Sequence, residues 1–152
     1  MNEYDDIPHR GLWRPVGIKM KWIHWERMLK DVKEKEPEEA CGLLAGCKDG
    51  DYAKTIFVIP TTNILHSPVR YRIDPLEQLK AFQRIDDSQL DLMAIYHSHP
   101  TGPVVPSGVD VEEAYYPEAV YLIWSRLNRN WICKGFLIQD GEIIETPISY
   151  YH

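Results

Sequence analysis

Two histidines one residue apart, His97 and His99, lie in the run Tyr96-His97-Ser98-His99-Pro100, and an acid, Asp110, follows in Ser107-Gly108-Val109-Asp110. The residues before them, Asp91-Leu92-Met93-Ala94-Ile95, read as a strand. Side chains on a strand alternate with period two, so both imidazoles point to one face and can share one metal ion. Asp110 can supply a third ligand across the loop Pro100-Thr101-Gly102-Pro103-Val104-Val105-Pro106, whose prolines restrict its wandering. Two imidazoles and one carboxylate suit zinc with an open fourth position. Each part also has a bland explanation. A lone strand histidine is usually structural, and a hydroxyl followed by an acid, as in Ser107 and Asp110, resembles a capping box. Both readings of Ser107 can hold at once, because the helix it begins presents Asp110 from its first turn.

Taken together, His97-Ser98-His99-Pro100 and the gaps to Ser107 and Asp110 resemble the signature of the JAMM (MPN-plus) metalloprotease family. That family also carries a glutamate just before a short, apolar, glycine-bearing strand, and Glu39 in Glu38-Glu39-Ala40-Cys41-Gly42-Leu43-Leu44-Ala45-Gly46 matches it. The likeness runs from roughly Ile18 to Ile148. It implies one catalytic zinc on His97, His99 and Asp110, with a water in the fourth position whose pKa falls toward neutrality. Glu39 would take that water's proton and return it to the leaving amine, and Ser107 would donate a hydrogen bond to the tetrahedral oxyanion. The bland reading of Glu39 is a surface acid beside Glu36 and Glu38.

The resemblance further implies hydrolysis of a peptide or isopeptide bond after the C-terminal glycine of a ubiquitin-like or sulfur-carrier protein. The Gly-Gly tail would lie extended beside a strand at the cleft. Only Val111 to Glu118 separates Asp110 from the next expected strand, so the long insertion of the eukaryotic deubiquitinases is missing and a compact prokaryotic-type member fits better. The alternatives are a non-catalytic MPN scaffold for protein interaction and a structural zinc site closed by Glu39 or His66. Zinc deaminases are disfavoured, since neither their His-x-Glu nor their Pro-Cys-x-x-Cys segment occurs, and there is no His-Glu-x-x-His helix or phosphate-binding glycine loop.

The elements that must position these residues follow from pattern. Ile18, Met20 and Trp22 alternate with Lys19 and Lys21 as a strand; Trp25, Met28, Leu29 and Val32 recur at helical spacing up to Pro37. Glu39 to Gly46 reads as a central strand and Lys54 to Pro60 as the strand returning from it, followed by a loop with a short extended piece at Arg70 to Ile73. Asp74 caps a helix opened by Pro75, with Leu76, Leu79, Phe82 and Ile85 as its apolar stripe. Ser107 to Tyr116 reads as helix, and Ala119–Ser125, Trp131–Gln139 and Glu142–Ile148 as three last strands. The sum is an α/β domain over residues 17–152 behind a flexible extension, residues 1–16. The resemblance implies the same fold: a mixed, curled sheet flanked by helices, the MPN/JAB arrangement, layered like cytidine deaminase.

Ser98 should face away from the ligands, Tyr96 should pack on that opposite face, and Cys41 in an apolar strand should keep a high thiol pKa. Asn63, Tyr71 and Asp74 either line the cleft or stabilise loops. The chain has 152 residues, 26% of them charged, with net charge −6 and no basic patch, which argues against nucleic acid as the main partner. The acidic start Met1-Asn2-Glu3-Tyr4-Asp5-Asp6, the lack of a long apolar run and three unpaired-looking cysteines point to a cytoplasmic protein away from the membrane. Nothing in the sequence fixes the oligomeric state.

Overall fold

The computed structural model describes residues 11–152; the first ten residues of the expected extension lie outside the described residues. Alternation builds β1 (Gly17–Met20), but its expected continuation to Trp22 does not occur. His24 accepts the Lys21 backbone N–H at 3.0 Å, which turns the chain at Lys21 into α1 (Trp22–Lys35). Next come β2 (Cys41–Asp49) and β3 (Tyr52–Thr61), a hairpin turning at Gly50. A loop then leads to α2 (Pro75–Asp87), where Asp74 Oδ1 accepts the N–H of Leu76 at 2.8 Å and of Glu77 at 3.3 Å as the sequence leads one to expect. The apolar stripe is corrected: Ala81 and Ile85 are buried, whereas Leu76 and Leu79 are exposed. At roughly 100° per residue, Leu76 falls on the far side of the helix from Ile85.

β4 (Asp91–His99) carries the histidines and runs into α3 (Gly108–Glu112). This helix is much shorter than the stretch Ser107 to Tyr116 expected from sequence. It stops at Glu113, and Tyr116 precedes Pro117, a position where the helical conformation is sterically disfavoured. The chain ends with β5 (Val120–Leu127), β6 (Asn130–Gln139), β7 (Glu142–Thr146) and β8 (Ile148–Tyr150).

The last two strands reveal the shape of the sheet. Its order is β7-β6-β5-β4-β2-β3-β1-β8, so β7 and β8 occupy opposite edges although only Pro147 separates them in sequence. Seven strand spacings laid flat would span roughly 34 Å, while two residues reach at most about 7 Å. The sheet must therefore curl until its edges nearly meet. Pro147, with no N–H to give, marks the change of partner, and its carbonyl accepts the Ile18 N–H at 2.9 Å. The single strand expected over Glu142 to Ile148 is thus two. Pairing is mixed, with β1–β3, β1–β8 and β4–β5 parallel and the rest antiparallel.

Strand alternation sorts the core into two faces. Leu44, Ala94, Tyr96, Leu122 and Trp124 pack with Met28 and Val32 of α1, and Leu43, Ile95 and Tyr121 pack with Ala81 of α2. Burying both faces is why these strands are nearly continuous apolar runs. Residues 11–16 have no regular structure, yet Trp13 packs against the first cluster and receives the Lys48 ammonium over its ring, and Arg14 Nε donates to Gln139 at 2.6 Å. Among the described residues, no helix is long and apolar enough to cross a membrane.

Candidate metal centre

The register between β2 and β4 brings the site together. Cys41 pairs with His97 in an antiparallel ladder, and the ladder continues past β2 because Ser98 N–H donates to the Ala40 carbonyl at 3.1 Å. Continued two residues, this register sets Glu39 opposite His99. Period two then gives Glu39, Cys41, His97 and His99 the same face. Glu39 is 3% exposed, so the reading of it as a surface acid does not hold. Glu39, His97 and His99 each place a ligand atom within 4.8 Å of the others.

Asp110 arrives from the first turn of α3. Its Oδ2 lies 3.2 Å from His97 Nε2 and 3.1 Å from His99 Nε2, and the two Nε2 atoms are 3.0 Å apart. Ligand atoms about 2.05 Å from a tetrahedral ion are separated by roughly 3.3 Å, so this triangle has the dimensions of one face of a zinc coordination sphere. The donor set fits the metal. Ser107 caps α3, its Oγ accepting the Asp110 N–H at 3.1 Å while its own N–H donates to Asp110 Oδ2 at 2.8 Å. The capping box is therefore real, and it aims the carboxylate.

The two imidazoles are held differently. The Pro103 carbonyl can only accept, so His99 Nδ1 carries the proton in their 2.8 Å hydrogen bond and a neutral ring keeps its Nε2 lone pair for a cation. His97 is fully buried, and its Nδ1 has no hydrogen-bond partner among the described residues. The ring of Tyr71, from the loop before α2, is stacked on it with centroids 4.6 Å apart.

Electrostatics follow from burial. Burial would raise Asp110, but the facing imidazoles of His97 and His99 and the Ser107 N–H hold it well below the usual carboxylate range. Burial holds His97 below its ordinary value; at His99 burial acts the same way but is outweighed by Asp110 and the Pro103 carbonyl. Glu39 is pushed up to about 7, first by burial, with His99 opposing and Asp110 adding. Beside these groups opens a cavity of about 170 Å³ lined by Glu39, His99 and Ser107 together with Val69, Thr101 and Val105.

Several side chains left open by the sequence acquire positions. Asn63 is buried and uses its whole amide: Nδ2 donates to the carbonyls of Glu39 and Arg70 at 3.1 and 3.0 Å, and Oδ1 accepts from Leu65 and Arg72, both at 3.1 Å. It stabilises the loop that carries Tyr71. Asp74 caps α2. Ser98 faces away from the ligands and accepts the Ala40 N–H at 2.8 Å. Tyr96, on that same face, is packed and donates to Asp31 at 2.6 Å. Cys41 is raised to about 11 by burial, which leaves it an inert thiol. His66 is exposed and turned to Glu38 at 3.2 Å, so it is not brought to the centre.

Comparison with known proteins places the chain in a family. Residues 23–134 match the family described as prokaryotic homologs of the JAB domain. The chain is 36% identical over 123 residues to a CysO-cysteine peptidase of Mycobacterium tuberculosis, covering 80% of this chain and 83% of that one. It is 37% identical to a probable TtuB-protein conjugate cleaving protease of Thermus thermophilus (74% and 70% covered) and 35% identical to a desampylase of Pyrococcus furiosus (82% and 85% covered). The solution structure of a protein from Desulfitobacterium hafniense superposes with a TM-score of 0.80 at 34% identity, over 89% of this chain and 93% of that one. With the family pattern spanning most of the domain and peptidases among the relatives that share it, the chain belongs to the JAMM-type family of prokaryotic JAB hydrolases.

Proposed function

We propose that the protein is a zinc-dependent metallopeptidase that hydrolyses the peptide or isopeptide bond after the C-terminal glycine of a ubiquitin-like or sulfur-carrier protein. The observation that carries this reading is the joint arrangement of a three-donor triangle with a buried carboxyl beside it, reached from one open cavity through His99 and Glu39. A structural zinc closed by Glu39 would bury the same carboxyl, but it needs no cavity; the one lined by Glu39, His99 and Ser107 favours a site that admits a substrate. The names of the relatives, which act on CysO-cysteine and TtuB-protein conjugates, support the substrate class.

In this reading His97, His99 and Asp110 hold the ion. When bound, zinc supplies Lewis acidity, polarising the scissile carbonyl and easing loss of a proton from the attacking water. Glu39 accepts that proton through its carboxylate and delivers it to the leaving amine. A carboxyl raised toward neutrality is suited to both halves of the transfer. Ser107 Oγ, which only accepts in the cap, keeps its own hydrogen to donate to the developing oxyanion. The cavity between Val69 and Val105 is the entry for the extended tail.

The test compares wild type, Glu39→Gln and His97→Ala. Each is analysed for metal and then incubated with a ubiquitin-like protein extended beyond its terminal Gly-Gly. The expected result is one zinc and cleavage for wild type, zinc without cleavage for Glu39→Gln, and neither for His97→Ala. Cleavage by Glu39→Gln at the wild-type rate would overturn the mechanism.

A further inference from the structure

The two ligand imidazoles are oriented by unlike means. A metal-bound histidine ordinarily fixes its ring by donating the other ring N–H to an oxygen. His99 follows that rule through Pro103. His97 does not: its Nδ1 is buried without a hydrogen-bond partner among the described residues. What the ring does have is a parallel aromatic plate. Tyr71 lies 4.6 Å from it, inclined by 26°. Tyr71 is itself fixed on both sides, since Asn63 binds the carbonyl of Arg70 and the N–H of Arg72, and Arg70 is tied to Glu113 at 2.6 Å.

From this asymmetry we infer that Tyr71 is the positioning residue for His97, holding the imidazole plane by stacking where the usual hydrogen bond is missing. The face of the ring does the work, and the hydroxyl does not. Stacked aromatic pairs favour a narrow set of orientations, so the plate resists rotation about the Cβ–Cγ bond and keeps Nε2 aimed at the donor triangle. Tyr71 also borders a separate cavity of about 200 Å³, lined by Gln78, Tyr116 and Tyr121 among others.

The inference relies on the proposed metal site, and the experiment separates the two. Zinc affinity is measured by competition with a chromophoric chelator for wild type, Tyr71→Phe and Tyr71→Leu, alongside the visible spectrum of each cobalt-substituted protein. Tyr71→Phe is expected to bind within about twofold of wild type with an unchanged cobalt spectrum. Tyr71→Leu, still apolar but smaller and without a plane, is expected to lose about tenfold or more, the usual effect of removing an outer support, with a broadened spectrum. Equal affinity for wild type and Tyr71→Leu would overturn the inference, as would a tenfold loss in Tyr71→Phe, which decides the matter alone if the leucine variant does not fold. Failure of wild type to bind zinc at all would instead overturn the metal site.

Discussion

The hydroxyl of Ser98 accepts the backbone N–H of Ala40 at 2.8 Å, joining the residue between the two imidazoles to the residue after Glu39. The backbone returns the contact, Ser98 N–H to Ala40 carbonyl at 3.1 Å. Ser98 thereby fixes the spacing between Glu39 and the strand that carries His97 and His99. Ser98→Ala leaves the buried Ala40 N–H without a partner, an expected loss of about 1–3 kcal/mol in urea unfolding. It should lower kcat several-fold with zinc affinity nearly unchanged, because His97 and His99 keep their strand. An unchanged kcat in a destabilised variant would mean that the bond serves stability alone.

On the same face, Gly42 lies under the ring of Tyr96. A Cβ built at Gly42 would clash with Tyr96 Cε1, and the ring cannot retreat freely because its hydroxyl is bound to Asp31 at 2.6 Å. Gly42→Ala is therefore expected to destabilise by about 2–3 kcal/mol, an overpacking penalty in a filled core. Combining it with Tyr96→Leu, which frees the space, should cost less than the sum of the two single changes in thermal or urea unfolding. Strict additivity would show that the clash is relieved elsewhere.

How much of this was legible in the sequence depends on how local the cause is. His97 and His99 share a face because period two is a property of any strand, so the pair could be read directly. Ser107 and Asp110 could be read as a cap for the same reason. Glu39 could not, since its burial depends on which strand lies beside β4, and only the family likeness singled it out. Tyr71 reaches His97 from a loop fixed by four hydrogen bonds of Asn63, and no periodicity marks such a loop. The division at Pro147 was hidden because Glu142 to Ile148 has the composition of one strand; that its two halves serve opposite edges follows from closure of the whole sheet.

Metal should stabilise the fold in a way that reports its ligands. A ligand that binds only the native state adds stability that rises with its concentration, about 2.7 kcal/mol at one hundred times its dissociation constant. Zinc is expected to raise the melting temperature of wild type and, somewhat less, of Glu39→Gln, which lacks the carboxylate that the cation favours, and to leave that of His97→Ala unmoved. A chelator should reverse the shift. An equal rise in His97→Ala would assign the effect to a site elsewhere.

Glu39 predicts a pH dependence of the metal-free protein. Its folded-state pKa is raised from 4.5 to about 7, with burial as the first cause. Between those values the native state holds a proton that the unfolded state has released, so stability falls as pH rises through this window. Below about pH 4 both states are protonated and the penalty vanishes; above about pH 7 it is complete. The whole shift corresponds to about 3 kcal/mol, and access of water through the adjoining cavity reduces it to on the order of 1–2 kcal/mol. Glu39→Gln removes the group from the titration. The difference in unfolding free energy, variant minus wild type, should be small at pH 4, grow through pH 5–7 and level off beyond. Urea unfolding across that range measures it directly. Loading with zinc should shrink the difference, because a nearby cation favours the carboxylate. A difference that instead grew toward low pH would mean that Glu39 is stabilised as an anion in the empty site, and its place in proton transfer would have to be reconsidered.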